Sequence, residues 1–296
     1  IMIIKKIYSI LQNLYLTLFF LFVRRFKYRD KYGLNYYLYK DTRPLDTLRK
    51  RVRTDDTTVL DVIKKLLAHL QKSSNQKIEC VDVGSYIGII TLLMSKTVGE
   101  NGRVHSFEPF KDTYDRQLEN IRLNANLHNI ITNNCAVLDQ NLSQIQLNSL
   151  DSPGQNYLSV GVNPESKSVN PESKSVKVKT TTLQSYLKRM KVEKVSVCKI
   201  DAEGVDHLVL NGLGDYLLQS KVTYFILEFE KGEVKEKIEK ILKINNYTIY
   251  YMVRNMGFIV KTLEDYPKEC KSTLNILAVS NFADHTPVDN LLKKIT

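Results

Sequence analysis

Between Asp82 and Gly88 the chain reads Asp-Val-Gly-Ser-Tyr-Ile-Gly, an acid followed by two glycines four residues apart. A β-branched run precedes this stretch and an apolar, helix-like run follows it. Such a turn brings a ligand against the backbone: Gly84 and Gly88 carry no Cβ, and the next helix offers its unpaired N–H groups. With Ser85, Tyr86 and Ile87 they form a candidate cradle. A dinucleotide fingerprint needs a further glycine in the middle so that a pyrophosphate can approach, and here bulky Tyr86 stands in that place. Asp82 would repel a phosphate but attract the amino group and sulfonium of S-adenosylmethionine. The chemistry implied is methyl transfer. Glu108, followed by Pro109 and twenty residues beyond Gly88, ends a second strand-like run where a carboxylate can accept both ribose hydroxyls of an adenosine.

A third cluster, Lys-Ile-Asp-Ala-Glu-Gly-Val-Asp-His at 199–207, places Asp201 at the carboxyl end of a further strand, where open parallel sheets bind ligands. A sulfonium brings its own leaving group, so the protein has to align an acceptor and take its proton. Asp201, Glu203 and Glu228 are the candidate catalytic groups, with His207 behind them. The competing reading of the same residues has Asp201 fixing the methionine end of the cofactor, Glu203 and Asp206 capping a helix, and His207 on the surface. Asp201, Glu203 and Asp206 would also offer hard oxygens to Mg²⁺ or Mn²⁺, but no metal site is assigned.

These residues need a frame that brings strand ends together. Strand-like runs near 78–83, 103–107, 131–137, 195–201 and 223–229 alternate with helix-like runs near 87–98, 110–127, 205–218 and 233–245. Two more strands, 248–253 and 273–280, close the chain without a crossover helix. The expectation is a seven-stranded, mostly parallel, doubly wound (Rossmann-like) α/β sheet with an antiparallel last strand.

The chain resembles the FkbM-type methyltransferases. Val-Asp-Val-Gly-Ser-Tyr-Ile-Gly at 81–88, Phe-Glu-Pro at 107–109 followed by the stretch from Asn120 to Asn124, and Lys-Ile-Asp-Ala-Glu-Gly at 199–204 carry the resemblance, which spans about 78–230. It departs at Asp206, where the family usually has Glu, and at Ser85 and Tyr86, which replace a common Ala and Asn. The resemblance implies a class I fold, S-adenosylmethionine as cofactor, and O-methylation of a hydroxyl on a sugar, a lipid-linked glycan or a small molecule. A catalytically inactive, membrane-anchored binding module and an RNA methyltransferase are the alternatives.

Outside the domain at 78–296 lie a hydrophobic and basic segment at 1–30 and a linker with a leading helix at 31–77. Thirteen Lys and Arg stand against five Asp in residues 1–60, a net +8 of the chain's +11. Residues 7–23 carry no charge, and as a helix they would be about 25 Å long against a hydrocarbon core of about 30 Å. A retained membrane anchor, spanning or interfacial, is expected, with a helix packed on the domain as the alternative and the heavier positive flank favouring a cytoplasmic catalytic domain. No aromatic and basic RNA motif is present, so nucleic acid is not an expected partner. Cys80, Cys135, Cys198 and Cys270 lack metal spacing, and the first three read as buried strand thiols. The perfect repeat of Val-Asn-Pro-Glu-Ser-Lys-Ser at 162–168 and 169–175 is a loop, flanked by an expected hairpin of 155–160 with 176–180.

Overall fold

A computed structural model describes residues 25–39, 57–73, 77–143, 145–149, 174–229, 233–253, 258–262 and 274–292. In chain order the strands are β1 (Arg25–Arg29), β2 (Asn35–Tyr39), β3 (Ile78–Val83), β4 (Gly102–Phe107), β5 (Ile130–Asn133), β6 (Ala136–Val137), β7 (Ile145–Ser149), β8 (Lys174–Val178), β9 (Thr180–Thr181), β10 (Val195–Ile200), β11 (Val222–Phe229), β12 (Tyr247–Val253), β13 (Phe258–Val260) and β14 (Leu274–Ser280). The helices are α1 (Thr57–Ser73), α2 (Ile89–Val98), α3 (Lys111–Arg122), α4 (Leu183–Arg189), α5 (Asp206–Asn211), α6 (Asp215–Leu218), α7 (Glu233–Ile244) and α8 (Thr286–Asp289).

The central sheet has the order β13-β12-β14-β11-β10-β3-β4-β5. Strands β5, β4, β3, β10 and β11 run parallel, while β14 lies antiparallel between β11 and β12. The sheet therefore has eight strands where seven were expected, because the three residues of β13 pair antiparallel with β12. So short a run, interrupted from β12 by only four residues, has no periodicity to announce it.

Burial on both faces follows from the strand sequences. Val81, Val83, Phe107, Cys198, Ile200, Phe225 and Leu227 point to one face and pack under α4, α5, α6 and α7. Their neighbours Cys80, Val104, Val197, Tyr224 and Ile226 point to the other, under α1, α2 and α8. Successive side chains of a strand alternate in direction, so a strand covered on both sides must be apolar throughout.

Three expected elements are shorter than their periodicity implied. The run at 131–137 breaks after Asn133, because Asn134 Nδ2 donates to the carbonyls of Glu108 and Pro109 and turns the chain. Cys135 consequently lies in a turn, not in a core strand, while Cys80 and Cys198 are buried free thiols and Cys270 lies outside the described residues. The helix expected at 110–127 ends at Arg122, where Asn124 Nδ2 bonds the carbonyls of Asn120 and Asn35. The helix expected at 205–218 splits into α5 and α6 at Gly212, which passes so close to Leu138 that a Cβ would lie 2.1 Å from its carbonyl oxygen. At the rim β8, which takes in the last two residues of the repeat, pairs antiparallel with β7, while 155–160, the expected partner, lies outside the described residues together with the rest of the repeat.

An antiparallel hairpin of β1 and β2, not foreseen in the segment before the sheet, packs Leu34, Tyr36 and Leu38 against Leu60, Ile87, Leu92 and Leu93. It crosses the boundary drawn at residue 30. The apolar stretch 7–23, expected to be a helix, lies outside the described residues. Among the described residues no helix is long and apolar enough to cross a membrane.

Candidate active site

A cleft opens at the carboxyl ends of β3, β4, β10 and β11. Asp82, Gly84, Ser85, Tyr86, Glu108, Pro109, Asp201, Glu203 and Glu228, all singled out from the sequence, line it together. Ile87 and Gly88 do not. Ile87 is fully buried beside Leu92 and Leu93, and Gly88 is the left-handed residue that begins α2 at φ 88°.

The cradle is held by main-chain bonds. The amides of Gly84 and Ser85 both donate to the carbonyl of Phe107, and that of Gly88 to the carbonyl of Ser85. Gly84 sits at φ +72°, where a Cβ would stand 1.9 Å from the carbonyl oxygen of Asp201. This glycine is therefore required by the approach of β3 to β10 and not by the ligand alone. Glu108 is buried, and its two oxygens accept separately from the amides of Tyr86 at 2.9 Å and Phe110 at 3.0 Å. Burial pushes its carboxyl up to about 7, against the opposing pull of those two amides.

Asp82 is fully buried. Its Oδ2 accepts from Thr91 at 2.5 Å, while Oδ1 has no hydrogen-bond partner and lies 4.0 Å from Lys199 Nζ. Burial raises its carboxyl above the ordinary range, with Lys199 acting the other way. Lys199, to which the 199–204 motif gives no role of its own, ties the cleft together. Its ammonium donates to the carbonyl of Gly84 at 3.2 Å and to Asp201 Oδ2 at 3.1 Å. Burial opposes that charge, but Asp201 and Asp82 outweigh it and hold the ammonium above its ordinary value.

Asp206 does not reach the cleft. Its oxygens accept from the amides of Ala202 and Gly204, closing the turn after β10. The three oxygen ligands considered for a cation are thus not assembled. Among the described residues no group of three His, Cys, Asp or Glu is placed to hold a metal ion. His207 does not line the cleft, and its burial lowers its basicity. Glu203 takes a left-handed conformation at φ 49°, a strained geometry that turns the chain at the cleft mouth. Further walls come from Phe110, Thr113, Ala136 and Val137, which no motif encloses, and from Phe107 and Cys135, which the sequence marked only within the Phe-Glu-Pro signature and as a strand thiol.

The donor set suits S-adenosylmethionine. An unpartnered buried carboxylate oxygen on Asp82 faces a cleft that already holds Glu108, with apolar walls for a base between them. A parallel sheet with an inserted antiparallel strand and a cleft of this composition defines a class I S-adenosylmethionine-dependent methyltransferase. The profile of the methyltransferase FkbM domain matches residues 82–270, more than half of the chain, and the chain belongs to that family. It is a methyltransferase, and S-adenosylmethionine is its cofactor. No curated protein matches. Similar solved structures include a SAM-dependent methyltransferase from Agrobacterium tumefaciens, 9% identical over 88% of this chain and 71% of that one, with a TM-score of 0.49. The METTL16 MTase domain is 11% identical over 87% of each chain, with a TM-score of 0.47. Aeropyrum pernix fibrillarin with bound S-adenosyl-L-methionine is 14% identical over 74% of this chain and 76% of that one, with a TM-score of 0.41.

Proposed function

We propose that this methyltransferase methylates a hydroxyl oxygen on a sugar, a lipid-linked glycan or a small molecule. The observation that carries this reading is the Asp201–Lys199 pair at the cleft, with the Asp201 side chain 29% exposed. The bound cofactor supplies an electrophilic methyl group on a sulfonium, which makes the acceptor's proton the part left to the protein. Asp201 accepts the Lys199 ammonium on one oxygen, and its other oxygen receives the proton of the acceptor hydroxyl. Lys199 stays charged and so acts as a holder, not as a base. Glu203 and Glu228 line the same opening and orient the acceptor. Asp82 and Glu108 hold the cofactor at its amino and ribose ends, and the backbone of residues 84–86 follows its length.

The test combines calorimetry with S-adenosylmethionine and a turnover assay over hydroxylated sugars, lipid-linked glycans, small hydroxylated metabolites and RNA. Turnover on a hydroxylated small or glycan acceptor supports the reading. Cofactor binding without turnover on any acceptor favours a binding module, and turnover on RNA alone replaces the acceptor class.

The uncharged residues 7–23 and their basic flanks support attachment to a membrane, with the catalytic domain on the cytoplasmic side. Flotation of the full chain with neutral phosphatidylcholine vesicles checks this: protein that stays at the bottom of the gradient contradicts it.

A further inference from the structure

We propose that the outer face of the β1–β2 hairpin is a docking surface for anionic phospholipid headgroups. The proposal rests on the membrane-attachment reading above and goes beyond it by naming the surface and the lipid charge.

Strand β1 alternates Arg25, Phe26, Lys27, Tyr28 and Arg29, and its aromatic members face the interior, packing on the cluster of Leu34, Tyr36 and Leu38. Its basic members face outward, and the register sets Arg25 opposite Tyr39, Lys27 opposite Tyr37 and Arg29 opposite Asn35. Lys27 and Arg29 are exposed. The Arg25 guanidinium lies 4.0 Å from the centre of the Tyr37 ring, and Arg116 of α3 lies 4.4 Å from that of Tyr39. The face therefore carries four cations and two tyrosines. Glu119 meets it, paired with Arg25 and accepting from the Tyr39 hydroxyl, and among the described residues no ion pair engages Lys27 or Arg29. A merely solvated surface mixes charges of both signs.

Two observations single out a lipid surface. The chain enters β1 from the uncharged stretch ending at Val23, with only Arg24 between. A residue spans at most about 3.6 Å, so lipid that holds Val23 holds Arg25 within headgroup depth. Tyrosine rings and basic side chains are also the groups that settle at a membrane interface. The face is rigidly joined to the cleft. The Tyr37 and Asn35 amides donate to Asn120 and Asn124 at the end of α3 and just beyond it, and Thr113 of the same helix lines the cleft. An acceptor carried by lipid would thus be presented beside the site.

The experiment measures sedimentation of the full chain with vesicles of phosphatidylcholine alone and of phosphatidylcholine with phosphatidylserine, at moderate salt. The wild type should bind the anionic vesicles on the order of tenfold more tightly, and K27Q/R29Q should remove most of that difference. The variant should keep wild-type affinity for neutral vesicles, wild-type cofactor affinity and wild-type Tm. K240Q/K243Q, an equal loss of charge on α7, should change none of these. Equal binding of the wild type to both vesicles overturns the proposal while leaving membrane attachment intact. So does a K27Q/R29Q chain that keeps its preference, or a control that loses as much. Binding to neither vesicle overturns both readings. Indifference to phosphatidylserine together with single-stranded RNA binding that K27Q/R29Q abolishes gives the face to nucleic acid instead.

Discussion

At the β3–β4 end of the cleft, Glu108 is locked by two backbone amides, Ser85 is held by Gln117, and Asp82 lines the cleft while fully buried. At the β10–β11 end, Asp201 and Glu228 are partly exposed, Glu203 sits on a strained turn, and one ammonium, Lys199, holds the corner to the cradle. On the reading proposed above, the first end holds a ligand of constant shape, so its groups can be fixed in advance, and the second admits an acceptor and lets a proton leave to water. Preorganisation favours tight binding of one molecule, whereas partial exposure favours turnover.

The largest effect should come from Gly84→Ala, which joins the two ends. Its Cβ would stand 1.9 Å from the Asp201 carbonyl, so β3 and β10 must separate. A loss of about 3 kcal/mol or more in stability, with loss of cofactor binding, is expected by denaturation and calorimetry. Unchanged affinity would show that the ends are independent.

Asp201→Asn should sharpen the contrast from the acceptor side. It keeps the shape but removes the charge, and kcat should fall by about 10² to 10⁴ while cofactor affinity stays near wild type. A parallel loss of affinity would move Asp201 to the cofactor. Wild-type kcat would leave Glu203 or Glu228 as the base.

Glu108 tests the other side through pH. Its carboxyl titrates near 7 in the ligand-free protein, and cofactor binding favours the ionised form, so affinity should rise as pH climbs from 5 and level off above 7. Glu108→Gln should flatten that profile and weaken binding by about 1.5 to 3 kcal/mol at pH 8. The same shift predicts that the ligand-free protein loses stability as pH rises from its ordinary value of 4.5 through 7, because the folded state holds the proton more tightly. A Tm flat across that range would contradict it.

The smallest effect belongs to Gly204→Ala, in the turn after β10. This glycine also has positive φ, at 94°, but a Cβ there meets nothing within 4 Å. Only backbone strain of about 1 to 2 kcal/mol is expected, read as a modest fall in Tm. An effect as large as that of Gly84→Ala would remove the distinction between the two ends.

Local patterns made much of this protein legible. The glycine turn, the acids at strand ends and the alternation of strand and helix follow from short-range preferences, so Asp82, Gly84, Glu108, Asp201 and Glu228 could be placed at one sheet edge by counting along the chain. The tandem repeat and the apolar stretch 7–23 were equally readable as composition.

What the tertiary structure alone decided depends on contacts between distant residues. The reason for Gly84 is the carbonyl of Asp201, more than a hundred residues away. Lys199 became the link of the cleft only once β3 and β10 were neighbours, and Asp206 was removed from it by bonds to its own turn. Asn120 and Asn124, legible only as a family signature, receive the amides of a hairpin that no periodicity foretold. Propensity and spacing describe what a segment prefers by itself, whereas close approach, burial and charge pairing exist only between segments that the fold has already brought together.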